Sequence, residues 1–215
     1  MANVSLALVH LCQAASGMIH SATTFAIREI ARESATQPRA ASEKDTLEPH
    51  EESIVKNVRD YYRQCFEAEK PTFIKVMKAV PLDQAAYTPH PRSTTAGDLA
   101  WLLATELHDA CELIDRGEVN YVYKPAPGIA ESIAAYETHA AALEARLITV
   151  DDAKWDSPAR LLMEGKPVWE STLGDMLFGF LFDAVHHRGQ LSSYLRPMGA
   201  KVPSIYGPSG DDPGA

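Results

Sequence analysis

The sequence predicts an all-α fold: a four-helix bundle with an extra helical segment ahead of it. Three observations lead there. Four stretches place apolar residues at helical spacing, two of them open on a T-x-x-D capping pattern, and no stretch sustains the alternation of a half-buried strand. With 215 residues, 46% of them apolar, the chain has material for one core and an extension.

Residues 1–33 read as an N-terminal extension, because Leu8, Leu11, Ala15, Ile19, Ala22 and Ala26 recur at helical spacing. The polar, proline-containing run 34–51 reads as a linker, which leaves 52–212 as the bundle domain. Its first helix is predicted over 52–79, with Ile54, Val58, Tyr61, Tyr62, Cys65 and Phe66 on one face and a kink or restart at Pro71. Pro81, Pro89 and Pro91 mark a loop. The second helix opens at Thr95, with Asp98 three residues on, and runs to Arg116 before Gly117. A third spans 129–147 through Ile133, Tyr136, Ala140, Leu143 and Leu147. The last begins near Thr172, capped with Asp175, and stops at Pro197 and Gly199. The intervening DDAKWDSPARLLMEGKPVWE has space for a short strand or two but no convincing sheet.

A formal charge of −9 argues against a nucleic-acid partner, since such proteins draw affinity from clustered Lys and Arg on phosphates. Cys12, Cys65 and Cys111 lie far apart without a CxxC pair, which points to a reduced, cytoplasmic setting. No run reaches the roughly 18–20 apolar residues that span a bilayer, so no membrane association is expected. The opening MANVSLALVHLCQAASGM lacks the basic start of a signal peptide.

On a helical wheel of the last helix one stripe reads Met176, Phe180, Asp183, His187, Leu191 and Tyr194. A carboxylate and an imidazole one turn apart in a core stripe need partners, because burying them unpaired costs several kcal/mol. They either bond each other or share a divalent cation, as bundle interiors commonly do from facing helices. The facing stripe of helix 95–116 reads Leu99, Leu102, Leu103, Glu106, Ala110 and Leu113, so Glu106 is the candidate third ligand. His108 falls on another face with Trp101, Ala104 and Cys111, and His186 lies about 100° around the helix from His187. His139 is expected at the surface, His90 in a loop, and His10, His20 and His50 in the extension or linker. Arg188 is expected to form a structural salt bridge.

HHRGQLSSYLRPMGAKVPSIYGPSGDD, together with AGDLAW at the start of the second helix, resembles the DinB/YfiT-like superfamily of four-helix-bundle metalloenzymes over about residues 52–212. The resemblance implies three histidines around nickel, zinc or a similar ion: one on helix two and an HxxxH pair on helix four. His187 matches the second of the pair, Asp183 stands at the first, and Leu102 stands at the helix-two position. Two of three ligand positions are changed, which implies a degenerate site with weak or lost metal binding, and therefore no bound metal as one outcome. A set of Glu106, Asp183 and His187 would suit iron, manganese or zinc. The resemblance further implies a metal-dependent thiol transferase acting with a low-molecular-weight thiol, Tyr194 or Arg188 orienting the substrate, and a homodimer. The alternative is a non-catalytic small-molecule-binding or stress-associated bundle protein.

Overall fold

The structure, a computed structural model, describes residues 57–214. The predicted extension 1–33, the linker 34–51 and the first residues of the first helix lie outside the described residues. Helix α1 runs Val58–Ala79, with the Asn57 side chain accepting a hydrogen bond from the Asp60 backbone N–H at 2.9 Å. Pro71 sits inside it without ending it. The Thr72 hydroxyl donates to the Glu69 carbonyl at 2.7 Å within the turn that the proline loosens, while Phe66, Phe73 and Met77 are packed into the core on either side. Tertiary packing has overridden the local break. The stripe is also narrower than predicted: Tyr62 and Phe66 are buried, whereas Val58 and Tyr61 are exposed.

Helix α2, Ala96–Arg116, starts where the Asp98 N–H donates to the Thr95 hydroxyl oxygen at 3.1 Å. It ends on Gly117, whose φ of 71° lets its N–H reach the Leu113 carbonyl. Helix α3 covers Ile129–Leu147 as predicted. A single turn, α4 at Asp152–Trp155, precedes the last helix, α5, at Leu173–Leu195. Its cap repeats the first, the Asp175 N–H donating to the Thr172 hydroxyl oxygen at 3.2 Å. α2 packs against both α3 and α5, and α1 closes the bundle against α5 and α3. Tyr62, Trp155 and Phe178 meet edge-on or tilted at one end, with Tyr62 and Phe178 centroids 5.1 Å apart. Gly174 permits this approach, because a Cβ there would stand 2.3 Å from the Trp155 ring.

The strictly all-α expectation is corrected by a three-stranded sheet of order β1-β2-β3: Glu118–Tyr121, Pro158–Met163 and Lys166–Thr172. β1 leaves α2 and pairs parallel to β2 in the register Glu118↔Arg160, and β2 pairs antiparallel to β3. The hairpin turns on Glu164 and Gly165, both at positive φ (51° and 76°), the backbone a two-residue I′ turn needs. Buried Ala159, Leu161 and Trp169 join the sheet to the bundle core. These strands are short and bulged between Leu161 and Leu162, so their alternation is too brief to be read from the sequence. Among the described residues, no helix is long and apolar enough to cross a membrane.

Candidate metal centre

The stripe predicted on α5 is buried along its whole length, Asp183 and His187 included. Facing it, Glu106 on α2 is buried too, and one ligand atom from each of Glu106, Asp183 and His187 lies within 4.8 Å of the others. The tight contact in the set joins His187 Nε2 to Asp183 Oδ2 at 3.2 Å, across one helical turn. Burial works to raise the Asp183 pKa, but hydrogen bonds with His187 and Glu106 and the charges of His187 and His186 outweigh it. They hold the carboxyl below its ordinary range. Exposures of 7% for Glu106, 8% for Asp183 and 7% for His187 place the cluster inside the bundle, with both Glu106 oxygens and Asp183 Oδ2 out of contact with solvent.

Two cross-links set how α2 lies against α5. The Tyr194 hydroxyl donates to the Thr94 carbonyl at 3.2 Å near the start of α2, and Asp183 meets Glu106 farther along. The helices therefore run antiparallel, with the 12 steps from Thr94 to Glu106 set against the 11 from Tyr194 back to Asp183. Counting between these two contacts puts Leu102 near the level of His187. Leu102 is half-buried rather than a core residue as the predicted stripe had it, while Leu103 beside it is fully buried.

On the far side of His187, Nδ1 is 3.3 Å from Gln190 Oε1, and Gln190 Nε2 donates to the Tyr194 hydroxyl at 3.0 Å. Sequence reasoning missed Gln190, although it stands three residues from His187 and four from Tyr194, both helical-neighbour spacings. Beside Glu106 is a cavity of about 10 Å³, lined chiefly by Tyr62, Phe66, Phe73, Tyr136 and Phe180. It is the size of a single water.

The other histidines are elsewhere. His108 is exposed, its ring 5.3 Å from that of His139. His139 is half-buried rather than superficial, with Nδ1 2.8 Å from the Ala104 carbonyl oxygen. His186 is exposed, and the His90 ring accepts a bond from the Arg92 N–H in a loop. His10, His20 and His50 lie outside the described residues. Arg188 does form a structural ion pair, but a buried one. It bonds Glu69 and Thr72 of α1 and the Tyr206 hydroxyl, and its Cζ lies 4.5 Å from the Phe73 ring centre. Tyr206 in turn donates to Glu69 at 2.8 Å. No local signal in the sequence pairs residues 69 and 206 with 188. Both terminal nitrogens of Arg188 are engaged in this clasp, and the Tyr194 hydroxyl is held by Gln190 and Thr94.

A helical bundle with a buried cluster of two carboxylates and one imidazole between antiparallel helices is of the class that builds metal sites from inward-facing side chains. The chain matches the family model described as DinB family over residues 56–213, and it belongs to that family. Solved structures share the fold. A DinB-like protein from Bacillus cereus ATCC 10987 aligns at 19% identity and TM-score 0.56, covering 67% of this chain and 95% of its own. YfiT from Bacillus subtilis, described as a probable metal-dependent hydrolase with an unusual four-helix bundle topology, aligns at 16% identity and TM-score 0.54, covering 72% and 95%. YjoA, a DinB-like protein from Bacillus subtilis, aligns at 17% identity and TM-score 0.51, covering 66% and 93%. No curated protein matches the chain.

Proposed function

We propose that this protein binds a divalent metal through Glu106, Asp183 and His187 and uses it to activate a small nucleophile. The supporting observation is the convergence of the three buried donors from two helices. Two donors of one ion with bonds of about 2.0–2.2 Å stand roughly 3–3.5 Å apart. The 3.2 Å between His187 Nε2 and Asp183 Oδ2 already fits, and Glu106 needs only a side-chain adjustment to join them. Oxygen, oxygen and nitrogen donors suit iron, manganese or zinc. At the place where the family resemblance puts a further imidazole stands Leu102, near the level of His187, so the site is degenerate relative to three histidines and its affinity is modest.

A divalent ion in this site supplies a Lewis acid that lowers the pKa of a water or thiol. The resemblance favours a low-molecular-weight thiol and hence thiol transfer; the description of YfiT favours water and hydrolysis. Asp183 and His187 fix the ligand geometry from one rigid helix, and Phe180 with its aromatic neighbours keeps bulk water from the inner side. The inner cavity takes one water and no more. The resemblance also supports a homodimer, which sedimentation would test.

A second reading has one specific observation in its favour: Asp183 and His187 already stand 3.2 Å apart as an ion pair on one helix. In that case the bundle is a non-catalytic binding protein. Metal analysis after purification without a histidine tag, followed by calorimetric titration with manganese, iron(II), zinc and nickel, separates the two. The metal reading expects one equivalent bound, lost in Glu106→Leu and in His187→Leu. No heat and no thermal shift with any of the four ions overturns it.

A further inference from the structure

We infer that Gln190 is a positioning residue, which holds His187 with a proton on Nδ1 so that Nε2 is the nitrogen presented to Asp183 and Glu106. The inference starts from an atom whose role admits no choice. The Thr94 carbonyl can only accept, so the Tyr194 hydroxyl, 3.2 Å away, spends its one proton there. Tyr194 must then accept from its other neighbour, which assigns the NH₂ end of the Gln190 amide to the 3.0 Å contact. The Gln190 oxygen is thereby turned to His187 Nδ1 at 3.3 Å, and an oxygen there requires Nδ1 to be the donor. Polarity passes through three side chains from one backbone group.

The consequence falls on the opposite nitrogen. With Nδ1 committed, Nε2, 3.2 Å from Asp183 Oδ2, is the nitrogen that faces the cluster. An ion taken up at Nε2 leaves the Nδ1 bond to Gln190 in place. A histidine anchored through its outer nitrogen needs no ring flip or tautomer change when it takes up a metal, which is how outer-shell partners raise affinity by about 10–100-fold. The bonding path also ties the site to the start of α2, so the helix that carries Glu106 and the one that carries His187 are held in register by the chain that sets the tautomer.

The part concerning metal affinity rests on the function proposed above; the part concerning the proton does not. Nitrogen-15 NMR of the His187 ring in metal-free protein reads the tautomer directly. Wild type should show a protonated Nδ1, and Gln190→Glu should keep it, because a carboxylate also accepts from Nδ1–H. Gln190→Leu should lose that preference in favour of a proton on Nε2 facing Asp183, and should bind zinc about 10–100-fold more weakly than wild type. Gln190 is only half-buried, so these variants should fold, which far-ultraviolet circular dichroism would verify. A protonated Nδ1 in wild type that binds none of manganese, iron(II), zinc and nickel would retain the positioning role and remove the metal reading. Zinc binding with a bare Nδ1 in wild type, or a protonated Nδ1 that persists in Gln190→Leu, would overturn the positioning role and leave the metal reading in place.

Discussion

Replacing Leu102 by histidine should restore the ligand that the family pattern places on helix two, and its effect can be worked from the structure. Leu102 lies one turn before Glu106 and near the level of His187, so an imidazole there enters the cluster from the α2 side. Complete truncation of a buried leucine costs about 2–5 kcal/mol. Leu102 is half-buried, and histidine keeps part of the volume, so the substitution should cost about 1–2 kcal/mol in chelator. If the added nitrogen tightens metal binding by about a hundredfold, saturating metal returns roughly 2.7 kcal/mol more to Leu102→His than to wild type. In a domain of this size each kcal/mol moves Tm by about 2–4 °C. Leu102→His should therefore melt about 2–8 °C below wild type in chelator, and its rise on adding zinc or nickel should exceed that of wild type by about 5–10 °C. Differential scanning calorimetry with and without metal, backed by titration calorimetry for affinity, measures both. Equal affinities in two folded proteins would show that position 102 does not reach the cluster and that the register between α2 and α5 is misassigned. Tight binding by wild type alone would show that Glu106 is already a full third ligand and that the site is not degenerate.

Two further predictions follow from the buried charges. The Asp183 pKa is depressed in the folded state, so its contribution to stability is present above the unfolded value of about 4 and is lost as pH falls through the folded value; urea titrations from pH 7 to pH 2 should show a shallower acid loss for Asp183→Asn, and parallel acid limbs would refute the assignment. Arg188→Met should destabilise by about 2–4 kcal/mol, since it strands Glu69, partly shielded at 19% side-chain exposure, and removes the stacking on Phe73. A change below about 0.5 kcal/mol in denaturant unfolding, the size of an ordinary surface substitution, would show that the clasp contributes nothing net.

Much of this protein is local in origin and therefore legible along the chain. The caps at Thr95 and Thr172 involve groups three residues apart, and the 3.6-residue period places Met176, Phe180, Asp183, His187, Leu191 and Tyr194 on one line whatever surrounds them. That line, interrupted by an acid and an imidazole and faced by Glu106, was enough to name the three residues that the fold brings together. What the period could not supply is distance between elements. Whether Glu106 reaches the depth of Asp183, and whether Leu102 is core or half-exposed, depends on the helix crossing and register, which contacts such as Tyr194 to Thr94 decide. Pro71 stays within α1 because core contacts on either side outweigh one lost backbone bond. The β2–β3 hairpin and the parallel β1 exist because the chain between helices is close enough to pair with itself, a long-range condition that short strands do not announce. Arg188 meets Glu69 and Tyr206 across 119 and 18 residues. Sequence periodicity assigns a side chain to a face of its own helix, and only the packed bundle decides which atom waits on the other side.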